Sequence, residues 1–163
     1  MTNFSYRDFR AILRHDFYSF MHRSFVELNP GTTFLHNWHL ELIASKLTSV
    51  LRGECRRLII MVPPRSLKSH AASIAFSAFV LGHHPAKQIV CASYSQDFAE
   101  KLARDTRRVM SSAFFRQIFP RSALIGGKQA VAEFTTAAGG SRFTTSPSGG
   151  LTGRGADIIL IDD

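Results

Sequence analysis

Cysteine, long apolar runs and a secretory leader are scarce or missing in this sequence. Only two cysteines occur among its 163 residues, and Cys55 and Cys91 are far apart with no metal-spaced partners, which argues against a disulfide framework and a zinc site. No stretch approaches the roughly 20 consecutive apolar residues that a membrane-spanning helix needs. The amino terminus carries Asp8 and Asp16 among its aromatic residues and shows no signal-peptide pattern. The sequence therefore predicts a cytosolic protein.

Acidic residues are also in short supply. Lys and Arg total 20 against 12 for Asp and Glu, and the isoelectric point is near 10.2. This surplus of positive charge favours polyanionic partners such as nucleic acids, although proteins that bind no polyanion also show it. With 45% apolar and 20% charged residues, the chain is expected to form one globular domain with a sizeable core.

Apolar residues at steps of three and four predict amphipathic helices. The Asn-Pro-Gly turn at residues 29–31 and Gly53 are expected to end the first two helices. Ser95 is expected to cap the last one, whose first turn is acidic and whose last turn is basic, in agreement with the helix dipole. The predicted spans are residues 9–25, 37–51, 69–81 and a helix that follows Ser95.

Short apolar runs between these helices predict the strands of a sheet. Runs expected to be buried on both faces are residues 57–62, 88–92 and 157–161; a hairpin is expected at 131–136 and 142–146, and a glycine-rich loop at 147–156. Because strands alternate with helices, the predicted fold class is α/β with a mostly parallel sheet and flanking helices. Ligands of such sheets gather at the carboxyl ends of the strands.

The first chemically informative segment is Pro-Pro-Arg-Ser-Leu-Lys-Ser at residues 63–69, directly after a predicted strand. A phosphate-binding loop directs backbone N–H groups at phosphate oxygens, while a lysine reaches the terminal phosphates and a Ser or Thr hydroxyl binds magnesium. Lys68 and Ser69 fit those two roles. Taken alone, the segment fits an ordinary turn with two surface cations equally well.

The loop lacks both glycines of the usual phosphate-loop pattern, and Val62 and Leu67 stand in their places. Its two prolines have no N–H group to donate. Phosphate oxygens would therefore be bound by the amides of residues 65–69, with the Arg65 guanidinium adding further donors.

The second segment is the acid pair Asp162-Asp163, which follows the apolar residues 158–161. By itself, a carboxylate pair at a strand end is as often a solvated surface feature. In combination with the loop, it fits ATPases in which one acid serves magnesium and the next acts on the attacking water. We expect Asp162 to hold magnesium through water and Asp163 to orient or deprotonate the attacking water.

These segments, together with others, resemble one known family, the large subunits of tailed-phage DNA-packaging terminases, in the branch with a Pro-Pro-Arg loop. The likeness covers most of the chain from about Trp38 onward, and the family tolerates an apolar residue at the position of Leu67. The motifs that carry it are Trp38-His39, Arg57-Leu58-Ile59-Ile60, Pro63-Pro64-Arg65 with Lys68-Ser69, Ala92-Ser93-Tyr94-Ser95, Thr135-Thr136 with Gly139-Gly140, and Leu151-Thr152-Gly153-Arg154-Gly155-Ala156-Asp157 before the acid pair.

The resemblance implies a P-loop NTPase fold of the RecA-like, ASCE type. It implies an ATP hydrolase that uses ATP and Mg²⁺ to drive double-stranded DNA into a procapsid. The implied partners are double-stranded DNA, a terminase small subunit and the portal or procapsid, with an oligomeric ring during packaging and no membrane. The implied location is the cytoplasm of the bacterial host of a phage or prophage.

The predicted site residues fall into three groups. Catalysis is assigned to Asp163, Lys68 and Arg65, and magnesium binding to Ser69 and Asp162. Nucleotide binding is assigned to the loop residues Arg65, Ser66, Leu67, Lys68 and Ser69. It is also assigned to Trp38 and His39, which precede the loop at the place where related ATPases contact adenine.

Members of this family continue past the acid pair into a coupling motif, the rest of the sheet and a nuclease domain. We therefore expect the chain to be a fragment or a truncated form, with a helical region at residues 1–56 and an ATPase core at 57–163 that is incomplete at the carboxyl terminus. No nuclease activity is predicted. The open edge beside the last strand predicts poor solubility, and the isolated chain is expected to hydrolyse ATP only at background rates.

Two other interpretations stay open. A helicase-like or recombination ATPase would share the loop and the acids but not the Thr-Gly-Arg-Gly-Ala-Asp approach at residues 152–157. A truncated remnant would bind nucleotide or DNA without turnover. A few residues are weaker candidates for contact with nucleotide or DNA. Helix capping, ion pairing or solvation of a helix face also explains them. These candidates are the Ser93–Ser95 turn, Arg104, Arg107, Arg108 and Arg154.

Overall fold

The computed structural model describes residues 5–126, 130–146 and 155–162. The helices are α1 (Tyr6–His15), α2 (Phe17–Leu28), α3 (Trp38–Leu51), α4 (Ser77–His83), α5 (Gln96–Ser111) and α6 (Ala113–Ile118), with a π-helical segment His70–Phe76 directly before α4 and a 3₁₀ turn Pro120–Ser122 after α6. The strands are β1 (Gln88–Ser93), β2 (Glu133–Thr135), β3 (Ser141–Thr145) and β4 (Ile158–Asp162). No helix within these ranges is long and apolar enough to cross a bilayer.

The first predicted helix, at residues 9–25, is in fact two helices that meet at Asp16. Asp16 has an extended backbone (φ −107°, ψ 111°), and its carboxylate accepts a 2.7 Å hydrogen bond from the Ser19 N–H, which caps α2. Its own N–H donates to the carbonyl of Ile12 and closes α1. The apolar periodicity runs across this break, because both helices pack their apolar faces onto the same core.

The helix predicted to stop at Gly82 continues through His83. A Cβ atom at position 82 would lie 2.6 Å from a ring carbon of Phe119, far inside van der Waals contact. Gly82 therefore serves close packing against Phe119, and the helix ends one residue later, before Pro85.

The sheet confirms the predicted α/β class with a mostly parallel arrangement. Its strand order is β2-β3-β1-β4, with β1 parallel to both β3 and β4 and β2 antiparallel to β3. The β2–β3 hairpin confirms the expected pairing around Gly139, whose φ of 87° supplies the left-handed turn conformation.

The expected strand at residues 57–62 does not form, and the expected burial of the last strand on both faces is wrong in part. Residues 57–62 pair with no described strand, and the side chains of Ile59 and Met61 are 85% and 89% exposed. In β4, Ile159 and Ile161 are 64% and 82% exposed, whereas the alternate residues pack against the core. A groove of about 1220 Å³ lies between the two segments and is lined by both. Each segment therefore buries only one of its faces.

One hydrophobic core joins the amino-terminal helices to the rest of the chain. It includes residues of α1, α2 and α3 together with residues of the π-helical segment, α4, α5, α6 and the sheet. Phe20 is fully buried at its centre and contacts the rings of Phe79, Phe115 and Phe119. This packing fixes the helix that follows the loop, and hence the position of residues 68 and 69.

Candidate phosphate-binding site

The loop at residues 63–69 reaches the carboxyl end of β4. The hydroxyl of Ser69 donates a 3.1 Å hydrogen bond to Oδ1 of Asp162, and the ammonium nitrogen of Lys68 lies 4.0 Å from the same oxygen. The structure thus brings together three of the predicted site residues, although Asp162 follows Ser69 by 93 positions.

Asp162 is held in place by contacts on both its side chain and its main chain. The side chain is only 6% exposed, and Oδ2 accepts a 2.7 Å hydrogen bond from the hydroxyl of Ser73. Ser93, its register partner on β1, donates its hydroxyl to the Asp162 carbonyl at 2.8 Å. The carboxylate therefore has a fixed orientation, with Oδ1 facing the loop.

A hydroxyl and a carboxylate at this separation fit the way proteins bind Mg²⁺. Magnesium is usually held by one or two carboxylates together with substrate phosphates and waters. Among the described residues, no group of three or more His, Cys, Asp or Glu is placed to hold a metal ion. Ser69 and Asp162 would accordingly bind Mg²⁺ as part of a shell completed by phosphate oxygens and water.

The loop backbone adopts an unusual conformation at two positions. Arg65 and Leu67 have φ angles of 64° and 56°, and no other non-glycine residue in the described ranges has a positive φ. A left-handed conformation costs a non-glycine residue roughly 1–2 kcal/mol. Turns of this kind aim successive backbone N–H groups into a concavity that binds anions. Leu67 occupies the position of the second glycine in the usual pattern, and it takes up the glycine-like conformation while its side chain packs on the core.

The helix after the loop is anchored to α2 through His70. The His70 side chain is buried, and Nε2 lies 3.1 Å from the carbonyl oxygen of Met21 and 3.2 Å from the hydroxyl of Ser24. Because a carbonyl only accepts, Nε2 carries the proton. Burial lowers the pKa of His70, so the neutral ring is the form that packs here.

A cleft of about 660 Å³ opens in front of the loop, within the range of small-molecule sites. Its walls are the loop, the carboxyl end of α2 and one face of α5. From α5 come Phe98, Lys101 and Arg108, and Asp105 pairs with both cations at 3.3 and 3.6 Å. Lys101 and Phe98 are not among the residues predicted from the sequence, which favours solvent or DNA contact for the arginines of this helix. The i, i+3 spacing of Phe98 and Lys101 places both on one face and is the sequence signal for their common location.

Other predicted residues lie elsewhere. Trp38 is 72% exposed at the start of α3, and neither Trp38 nor His39 lines the cleft; Phe25 and Leu28 of α2 occupy its apolar side. Ser95 caps α5 as expected, and Tyr94 stacks on Phe98 with ring centres 5.4 Å apart. Asp163 and Arg154, together with most of the predicted glycine-rich loop, lie outside the described residues.

Comparisons of this chain with protein-family models, curated proteins and solved structures found no match. Function is therefore inferred from the site itself.

Proposed function

We propose that the chain binds a nucleoside triphosphate with Mg²⁺ as part of a P-loop ATPase. The single observation that carries the proposal is the contact of Ser69 and Lys68 with the buried carboxylate of Asp162. A lysine and a hydroxyl at the start of a helix, facing a strand-end carboxylate, are the groups that the triphosphate and its metal require. The left-handed backbone at Arg65 and Leu67 adds independent support for an anion-binding loop.

Each residue has a distinct role in this proposal. The amides of residues 65–69 and the Arg65 guanidinium bind phosphate oxygens, and the Lys68 ammonium neutralises the terminal phosphates. Ser69 and Asp162 hold the metal, whose bound charge would stabilise the transferring phosphoryl group. Asp163 accepts the proton of the attacking water.

We further propose that this ATPase belongs to a DNA-packaging motor of the terminase type. The combination of motifs at residues 57–60, 63–69, 92–95 and 151–157 supports this assignment. A helicase-like ATPase would share the loop and the acid pair, so the Thr-Gly-Arg-Gly-Ala-Asp approach at residues 152–157 is what favours the motor. In that role double-stranded DNA is the cargo, and the net charge of +8 suits a polyanionic partner.

Calorimetric titration of the purified protein with ATP and Mg²⁺ tests the proposal. Lys68→Ala is expected to weaken ATP binding at least tenfold, since it removes the charge that faces the terminal phosphates. Lys46→Ala is the matched control, because Lys46 is an exposed lysine on α3 that does not line the cleft. Equal affinity in the wild type and Lys68→Ala, or no ATP binding by the wild type, would overturn the proposal.

The division between binding and chemistry has its own test. Asp162→Asn is expected to weaken the Mg²⁺ dependence of ATP binding. Where hydrolysis is measurable, Asp163→Asn should abolish turnover and spare ATP binding, because it removes the group that activates water and leaves the phosphate contacts intact. Equal hydrolysis rates in the wild type and Asp163→Asn would contradict these roles.

A further inference from the structure

Arg142 on β3 is a charged residue in a fully buried position. Its side chain has no exposed surface, and it donates from Nη1 to the Thr144 hydroxyl at 2.7 Å and from Nη2 to the Ser73 carbonyl at 3.3 Å. Its Nε has no hydrogen-bond partner among the described residues. Burying a charge is costly unless other groups compensate it. The surroundings of this guanidinium should therefore contain a compensating negative group.

Ser73 connects this arginine to the candidate metal site. Its carbonyl accepts from Arg142, and its hydroxyl donates to Oδ2 of Asp162 at 2.7 Å. Ser73 is itself buried, in the middle of the π-helical segment. Segments of π-helix occur frequently at functional sites. One residue thus links the buried cation on one side to the buried carboxylate on the other.

The cation and the carboxylate lie in the same buried region. The charges of both Arg142 and Asp162 act on the thiol of Cys91 on β1. Burial raises the pKa of Cys91, so this residue stays a neutral thiol and does not balance the charge of Arg142. Among the described residues, Asp162 is the only acidic residue that is buried, and Ser73 links it to Arg142.

We propose that Arg142 is a positioning residue for Asp162 and acts through Ser73. Because Ser73 occupies Oδ2, the carboxylate presents Oδ1 to Ser69 and Lys68, which is the orientation that a metal bound at the loop needs. Arg142 fixes the Ser73 carbonyl and places a compensating charge behind the carboxylate. This inference rests on the proposed function, since the metal it serves is that of the bound triphosphate.

The Mg²⁺ dependence of ATP binding distinguishes positioning from a general structural role. In Ser73→Ala, the Mg²⁺ concentration for half-maximal ATP binding should rise about tenfold, while ATP affinity measured in EDTA should change less than twofold. A tenfold change corresponds to about 1.4 kcal/mol, close to the lower end of what one hydrogen bond to a charged group contributes. Ser77→Ala is the matched control, because Ser77 is an equally buried serine one turn further along that contacts Cys91 and not Asp162.

Replacing Arg142 separates its charge from its hydrogen bonds. Arg142→Lys keeps the cation and should raise the Mg²⁺ requirement less than Arg142→Met, which loses both. An unchanged Mg²⁺ requirement in a folded Arg142→Met variant would overturn the role of Arg142. If these core variants fail to fold, Ser73→Ala can still overturn the proposal, because it removes the hydroxyl through which Arg142 would act on Asp162.

The possible outcomes separate the two proposals. A wild type that binds no ATP with Mg²⁺ overturns the proposed function and this inference with it. A wild type that binds, together with a Ser73→Ala variant whose Mg²⁺ dependence equals that of Ser77→Ala, overturns this inference alone. Equal losses of ATP affinity with Mg²⁺ and in EDTA would indicate a structural role and overturn it as well.

Discussion

Two segments of six residues, β1 at 88–93 and the run at 57–62, have similar apolar sequences and very different surroundings. In β1, Ile89 and Val90 are almost completely buried, and β3 and β4 pair with its two edges. In the 57–62 run, Ile59 and Met61 are almost completely exposed, and no described strand pairs with it. The difference shows that an apolar run becomes a buried strand only where neighbouring strands supply hydrogen bonds on its edges and helices cover its faces.

A matched pair of substitutions tests this difference most directly. Ile89→Ala should lower the free energy of unfolding by about 3 kcal/mol, because it leaves a cavity in the core. Ile59→Ala, the same chemical change at an exposed position, should change it by less than about 0.5 kcal/mol. Urea unfolding followed by circular dichroism measures both values. Similar losses for the two variants would mean that residue 59 is buried in solution.

A second prediction concerns His70, which follows the 57–62 run and its loop and anchors the next helix to α2. Burial lowers the pKa of His70, so that, as the pH falls through about 6.5, the unfolded chain takes up a proton at this ring before the folded state does. The free energy of unfolding should therefore fall as the pH drops below about 6.5, with a slope of up to about 1.4 kcal/mol per pH unit for each such proton.

Substitution of His70 checks this pH dependence. His70→Gln should flatten the slope between pH 7.5 and 5.5, because glutamine does not titrate in this range. Part of the slope will remain in His70→Gln, because burial also lowers the pKa of His22 and of His83. An unchanged slope in His70→Gln would contradict the buried, neutral state of this ring.

A third prediction concerns the loop at residues 63–69, which contains the two residues with a left-handed backbone, Arg65 and Leu67. Arg65→Gly should raise the free energy of unfolding by about 0.5–1 kcal/mol, the relief of the left-handed conformation less the greater entropy of glycine in the unfolded chain. Arg65→Ala should bring no such gain, and both variants should bind ATP more weakly. Denaturation and ATP titration measure the two effects, and equal stability of the Gly and Ala variants would rule out the strain.

The smallest effect on stability is expected at the open side of β4. Ile161→Lys should change the free energy of unfolding by less than about 0.5 kcal/mol, since the side chain is exposed. It should nevertheless reduce self-association in light-scattering measurements, because a lysine interrupts an apolar strand edge. Val26→Lys adds the same charge at an exposed position of α2. An equal reduction in that control would point to net charge as the cause.

Much of the fold could be predicted from local sequence patterns. The capping by Ser95, the β2–β3 hairpin and the position of β1 depend on nearby residues, and the structure confirms them. The break at Asp16 could also have been found, because its side chain is a typical cap for a helix that starts at the next residue. The exposure of one face of the 57–62 run could not be predicted locally, since it depends on which strands lie beside the run.

The candidate site was predictable to a similar extent. Lys68, Ser69 and Asp162 come from segments whose residue types indicate phosphate and metal binding. A parallel sheet brings the carboxyl ends of its strands to one edge, where these segments meet. Nothing local distinguishes Arg142 from a surface arginine, because its burial follows from the packing of α5 on β3 and from the contact of its guanidinium with the distant Ser73 carbonyl. Lys101 likewise reaches the cleft only because α5 packs beside that helix.

The pairing of β1 with β4 has a consequence for the fidelity of folding. Ser93 and Asp162 are partners in this register, and successive side chains of a strand point to opposite sides of the sheet. A slip of β4 by one residue would turn the Asp162 carboxylate away from the loop and offer Ile161 to Ser69 instead. A misfolded molecule of this kind would keep nearly all its secondary structure and lose the proposed metal site. The accuracy of a few backbone hydrogen bonds would thus decide which folded molecules can bind the metal as proposed.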